Sequence, residues 1–281
     1  MSYRWWVCLL HIIITPVIGF GQQRPLVTED PESVGSGLVL LEGGFDYFRD
    51  QPYPVSGLYG HRLRYPTLGI SIGVSSIAEV QIDGISYQSL KIVDRGSAPL
   101  SSLVNVTGDS ASDMSDLVIG AKVRLLAETD GRPSFALRFA TKLPNAGNES
   151  GLGLDTFDFH NTLLAAKTIR SVRFVGNVGL GILSDPTRGD RQNDVVLYGM
   201  SVARAMIEAI QVVAEINGWA NTRRGSAPPG TDSSRFIRVG ARYTRGSVRF
   251  DGALIRGVTP RDAKIGATAG FTWVFRGMEV P

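Results

Sequence analysis

The sequence predicts an all-β fold, a transmembrane antiparallel β-barrel of about twelve strands with short periplasmic turns and long external loops, and three observations predict it. Period-two segments, in which apolar residues alternate with small or polar ones, recur along the chain, as in a wall between two different solvents. Connections between them alternate between long and short, a pattern that outer-membrane barrels show and sandwiches do not require. The 33 glycines among 281 residues suit a chain of many strands and tight turns. A mean hydropathy of +0.04 does not argue against a membrane, because a barrel strand needs only every second side chain to be apolar.

At the N-terminus Arg4 precedes an apolar run from Trp5 to Phe20, which ends in Gly19-Phe20-Gly21 before Gln22. Charge, apolar core and small residues before a break make residues 1–21 a cleaved secretory signal peptide. His11, Pro16 and the short span disfavour an uncleaved anchor. Cys8, the single cysteine, leaves with that segment, so the mature chain is not a disulfide-stapled domain. Cleavage removes Arg4 and no acid, which takes the formal charge from +3 to +2. That balance gives no case for nucleic acid.

Residues 22–36 read as a periplasmic lead-in, residues 37–275 as the barrel and residues 276–281 as a C-terminal tail. The strands are placed at 37–48, 63–75, 79–93, 116–128, 134–142, 156–167, 171–183, 194–204, 209–220, 235–244, 247–256 and 264–275. Pro66 obscures the start of the second, and the third loses its alternation near Gly84, where a bulge is expected. Every second link is long, from "RDQPYPVSGLYGH" to "RGVTPRDA"; the others, such as "SIA", "TIR" and "TRG", are short. Beginning with a long link puts both termini on the periplasmic side.

The faces repeat. "DLVIGAKVRLLA" sets Leu117, Ile119, Ala121, Val123 and Leu125 against Asp116, Gly120, Lys122 and Arg124. In the last strand Ile265, Phe271 and Trp273 are assigned to lipid, and Lys264, Thr268 and Thr272 to the interior. Tyr243, Trp273 and Phe275, with Trp219, fall near strand ends, where aromatic girdles sit. The same alternation points Lys122, Arg124, Arg138, Lys142, Arg173, Arg238, Arg242, Arg249 and Lys264 inward, with Asp46, Asp116, Asp158, Glu215 and Asp251 as partial balance. A basic excess in an open lumen would favour anions; cross-strand pairing that fills a narrow lumen is the alternative.

No enzyme is indicated. After cleavage the histidines are His61 and His160, no ligand pair has zinc spacing, and no nucleophile or orienting partner for His160 is identifiable. Gly151-Leu152-Gly153 and Gly179-Leu180-Gly181 lack the context of a dinucleotide site. Neither a metal nor another cofactor is expected.

"RPLVTEDPESVGSGLVLLEGGFDY", "SDLVIGAKVRLL" and "ALRFATKLPNAGNESGLG" together resemble the outer-membrane channel-type transporter family associated with the phenol meta-degradation pathway. The matching features are an acidic, proline-containing lead-in at Asp30-Pro31, the opening pair Asp116-Leu117, and Leu143-Pro144 with Gly147. The resemblance runs in order over nearly the whole mature chain and implies uptake of hydrophobic or aromatic compounds, without catalytic residues. One departure is that Phe275 is followed by Arg276 to Pro281, whereas the signal read by the outer-membrane assembly machinery ends on an aromatic.

The expected function is passive passage of small solutes by a barrel embedded in outer-membrane lipid. Two alternatives stay open. A surface-interaction barrel would use loops 94–115 and 221–234, and a secreted soluble ligand carrier would bury the apolar stripes in protein.

Overall fold

The computed structural model describes residues 23–278, so the signal-peptide expectation and residues 279–281 lie outside the described residues. The strands are β1 (Leu38–Pro52), β2 (Leu58–Gly73), β3 (Ala78–Arg95), β4 (Ser110–Met114), β5 (Val118–Leu126), β6 (Ser134–Lys142), β7 (Asp158–Ile169), β8 (Val172–Ser184), β9 (Gln192–Ile207), β10 (Ile210–Asn221), β11 (Ser234–Arg245), β12 (Val248–Gly257) and β13 (Ile265–Arg276). All pairings are antiparallel, and twelve strands close into a barrel when β13 returns to β1, from Leu38↔Arg276 to Arg49↔Ile265. Closure satisfies the backbone of both terminal strands and leaves no edge on the wall.

The exception is β4, which the alternation pattern did not reveal. It lies within the link after β3 and pairs with the outer half of β3, from Tyr87↔Met114 to Lys91↔Ser110, while the inner half of β3 pairs with β5. At five residues it is too short for a legible alternation. The first long link also contracts to residues 53–57, because β1 and β2 extend past the barrel wall. Pro66 does not start β2 but sits inside it, at a register shift between Arg64 and Thr67, since a bulge tolerates a residue that cannot donate to the ladder.

Gly84 marks the expected bulge, and the burial pattern shows its effect. Before it Glu79 and Gln81 are buried; after it Ser86, Gln88 and Leu90 are, so the inward parity switches from odd to even. Its φ is 81°, and a Cβ there would stand 2.2 Å from the Asp116 carbonyl oxygen. Gly84→Ala is expected to lower barrel stability by at least about 1–2 kcal/mol, the cost of the left-handed backbone alone. The check is the denaturant midpoint in detergent; an unchanged midpoint would show that the bulge can be rebuilt without glycine.

Long and short connections segregate to opposite ends of the barrel. Gly277 N–H donates to Gly37 O at 3.0 Å, so β1 begins and β13 ends at the short-turn end. At the other end the loops pack on one another. Ser56 Oγ donates to Gly151 O at 2.7 Å, Leu100 N–H to Val55 O at 2.9 Å and Asn105 N–H to Glu149 O at 2.9 Å. Leu58, Leu90, Ala111 and Leu152 form a small apolar core beneath them. Val55 and Leu154, from loops on different sides of the mouth, both touch the position of Gly230.

The outer wall is aliphatic and aromatic. Ile119, Val123, Phe139, Phe159, Leu163, Phe174, Val178, Leu180, Val239, Phe250 and Leu254 are all exposed on it. Ile265, Trp273 and Tyr243 are exposed as well, Phe275 is half-buried with its ring 4.4 Å from that of Trp273, and Phe271 lies over its cross-strand partner Gly43. Trp219 departs from the girdle expectation. Its indole N–H donates to Asp232 O at 2.7 Å beside the long-loop cavity.

Candidate functional site

The interior is charged, and much of its counter-charge comes from the lead-in. Residues 22–36 were expected to stand in the periplasm; instead residues 23–36 bond to side chains from strands around the barrel, so the lead-in lies within it. An acidic, proline-containing segment without apolar alternation has no strand to join. It does carry the carboxylates that a basic interior lacks.

Lys122 of β5 is the centre of the largest cluster. It is 0% exposed, with Nζ 3.2 Å from Glu29 Oε1 and 3.1 Å from Glu79 Oε1, and it donates to Asp30 O at 2.9 Å. Arg138, paired with Lys122 in the β5–β6 register, approaches Glu29 Oε2 at 2.6 Å and donates to Gln81 Oε1 at 2.7 Å. Further along, Arg173 donates to Asp30 Oδ1 at 2.7 Å and Glu128 Oε2 at 2.9 Å, while Arg124 pairs with Glu32. On the far wall Glu215 accepts the Thr28 backbone N–H at 2.7 Å and Arg238 Nη1 at 2.6 Å. The Val34 N–H donates to Glu79 Oε2 at 2.6 Å before the chain enters β1.

The other inward candidates form separate groups. Lys142 Nζ lies 3.1 Å from both Asp116 Oδ2 and Asp158 Oδ2. Asp46 pairs with Arg64. Arg24 Nε stands 3.5 Å from Asp251, and Arg242 and Arg249 hold the lead-in by its backbone carbonyls. Lys264 belongs to none of these. It precedes β13 at the long-loop rim, its side chain is 65% exposed, and it faces Asp50 at 3.7 Å. One residue outside the strand, it has left the pleat that would have turned it inward.

Arg24, Glu29, Asp30, Glu32, Glu42, Glu79, Arg62 and Arg64 also belong to the charged interior, to which the alternation of the strands does not assign them. For the lead-in residues a signal existed: the basic excess assigned to the lumen needed acids, and "TEDPE" supplies them. His160 stands on β7 opposite Ala140 and Gly181, with Asp158 and Thr162 as its neighbours on the same face.

Burial by itself would raise the Glu29 carboxyl, but Arg138, Lys122 and the hydrogen bond from Gln81 outweigh it and hold it below the usual carboxylate range. A depressed folded value means that its contribution is complete above the unfolded value of about 4.3 and is lost as pH falls through the lower folded one. The lead-in is therefore expected to stay protease-resistant at pH 5 and to loosen only below the ordinary carboxylate range. Proteolysis of the lead-in already at pH 5 would contradict this.

Three cavities flank these residues. One of about 810 Å³ opens at the short-turn end between the lead-in and the wall, lined by Asp30, Glu32, Arg124, Arg173, Arg242 and Arg249 among others. A second, about 320 Å³, lies on the other side of the lead-in beside Glu42, Asp83 and Arg138. A third, about 330 Å³, sits under the long loops and is lined by Tyr53, Arg62, Leu152, Trp219 and Phe236. Phe48 connects its wall to the barrel, stacked by Arg62 at 4.8 Å and edge-on to Phe236 at 6.5 Å.

A closed antiparallel barrel of twelve strands, apolar outside and charged inside, has the architecture of the outer-membrane β-barrels. Among solved structures the chain is similar to the NanC porin, with 10% identity, a TM-score of 0.49, and coverage of 85% of this chain and 100% of that one. It is also similar to the translocator domain of the autotransporter NalP from Neisseria meningitidis, with 10% identity, a TM-score of 0.48, and coverage of 86% and 89%. A third is LpxR from Salmonella typhimurium, with 14% identity, a TM-score of 0.43, and coverage of 84% and 100%. No family model and no curated protein matches the sequence.

Proposed function

We propose that the chain is exported, sits in the bacterial outer membrane and passes small solutes, with residues 23–36 seated in the lumen as the element that sets its conductance. The carrying observation is a charged interior, enclosed by an apolar wall and divided by the lead-in into cavities. The long loops face outward, and the short turns, the start of β1 and the end of β13 face the periplasm, as in other outer-membrane barrels. Lipid covers the wall and the barrel-assembly machinery inserts it.

The solute class is a hydrophobic or aromatic compound, as the family resemblance implies. Tyr53, Trp219 and Phe236 beside the Arg62 guanidinium support that reading, because such a cavity offers apolar faces with a polar handle. Arg242 and Arg249, whose hydrogen bonds go to neutral groups beside the short-turn cavity, give the path a mild anion preference. The reading is non-enzymatic, so His160→Ala leaves flux unchanged.

A second reading, a surface-interaction barrel that conducts nothing, is favoured by the approach of Val55 and Leu154 to Gly230 across the mouth.

The test begins with residues 22–281 refolded in detergent and run heated and unheated on a denaturing gel, where a closed barrel changes mobility only after boiling. A heat-dependent shift followed by anion-preferring conductance in a salt gradient is the expected result. A shift without conductance would favour the surface-interaction barrel. A folded monomer in plain buffer without a shift would replace both with the soluble carrier.

A further inference from the structure

Arg242 and Arg249 differ from the other arginines of the short-turn cavity in that no carboxylate accepts a hydrogen bond from them. Arg124 is paired with Glu32, and Arg173 with Asp30 and Glu128. Arg242, by contrast, gives Nε to Arg24 O at 2.9 Å, Nη2 to Gln23 O at 2.8 Å and Nη1 to Gln211 Oε1 at 3.1 Å, all neutral acceptors. Arg249 gives Nη2 to Arg24 O at 3.1 Å and Thr272 Oγ1 at 3.3 Å. Its Nε is buried without a partner, and its side chain is 7% exposed.

The two guanidiniums share one face. Arg242 stands opposite Asp251 in the β11–β12 register and Arg249 is two residues from Asp251, so they are diagonal neighbours. Of the two nearby carboxylates, Glu42 is engaged by the lead-in and Asp251 has no hydrogen bond. Glu42 Oε1 accepts the backbone N–H groups of Gln23 and Arg24 and is 3.9 Å from Arg249. Asp251 stands 3.5 Å from Arg24 Nε, and its two carboxylate oxygens are buried without a hydrogen-bond partner. Arg24, Arg242 and Arg249 therefore face Glu42 and Asp251 with one negative charge too few, beside a cavity of about 810 Å³ that both Arg242 and Arg249 line.

We propose that Arg242 and Arg249 form a binding site for a small oxyanion, a carboxylate or a phosphate, that enters from the short-turn end. Its oxygens take the unpartnered Arg249 Nε–H and share Arg242 with the lead-in carbonyls. Charge-assisted bonds to an anion are stronger than those to a neutral carbonyl, so filling the site also competes with the anchoring of residues 23 and 24. The site is independent of whether the barrel conducts.

Calorimetric titration of the refolded chain in detergent with inorganic phosphate tests it, and a parallel titration with acetate separates a general oxyanion site from one that requires phosphate. Saturable one-to-one binding of phosphate or acetate is expected. Arg249→Gln is expected to weaken it at least about tenfold, the worth of one hydrogen bond to a charged group. Should that variant not give the compact, unheated gel form, Asp251→Asn serves instead; it removes the competing carboxylate and is expected to tighten binding several-fold. Absence of saturable binding of either anion by the unaltered chain overturns the proposal, as does an unchanged affinity in whichever variant folds. Conductance plays no part in the readout, so a closed barrel would not count against the site.

Discussion

Deleting residues 23–36 is expected to raise conductance and anion selectivity together. The segment occupies space between the cavities at the short-turn end and beside Glu42, and it brings Glu29, Asp30 and Glu32 to the guanidinium and ammonium groups of Arg138, Lys122, Arg173 and Arg124. Without it those four cations keep only wall partners such as Glu79, Asp83 and Glu128, and the lumen turns basic. A passage lined by one sign of charge raises the local concentration of the opposite ion by on the order of tenfold or more. Anion current should therefore grow more than widening alone would make it. Single-channel recording in a salt gradient, with and without the segment, measures both quantities. If the deletion variant inserts as a folded barrel yet conducts like the full chain, the constriction lies in the long loops around Val55, Leu154 and Gly230. The role given to the lead-in would then be wrong.

The wall was legible because one physical rule writes it. Apolar and polar residues must alternate where one face meets lipid and the other the interior, and Val172 to Ile182 or Ile119 to Leu125 state that rule without ambiguity. Bulges were legible only as interruptions. Gly84 broke the pattern visibly, whereas Pro66 hid the outer half of β2, because the inward parity on its two sides differs. β4 was invisible, since its pairing depends on how far β3 rises beyond the wall and not on its own five residues. The lead-in was misplaced for a related reason. Its position is set by charges scattered over strands distant in sequence, with Arg24 near Asp251 and Asp30 near Arg173, and no local periodicity records such contacts. What the sequence did contain was an imbalance, more inward cations than inward acids, and the acids of "TEDPE" resolve much of it.

Lys122→Met is expected to be the most destabilising single substitution in the barrel. Lys122 is fully buried, and its ammonium group stands between two carboxylates, Glu29 at 3.2 Å and Glu79 at 3.1 Å, while also holding the Asp30 carbonyl at 2.9 Å. Methionine fills most of the volume, so the loss is electrostatic. Glu29 retains Arg138, but Glu79 is itself buried and keeps only neutral donors, including the Gln81 amide at 2.8 Å and the Val34 N–H. Removing one partner of a buried ion pair costs about 3–5 kcal/mol, chiefly through the charge left behind. The double variant Lys122→Met, Glu79→Gln removes that stranded charge and should recover a large part of the loss, because groups in direct contact do not act additively. Urea unfolding in detergent, followed by the fraction that keeps its unheated gel mobility, measures all three proteins. A loss below about 1 kcal/mol for the single variant would place Lys122 with exposed ion pairs. A double variant no more stable than the single one would mean that packing around the lysine stem, and not the stranded carboxylate, carries the cost.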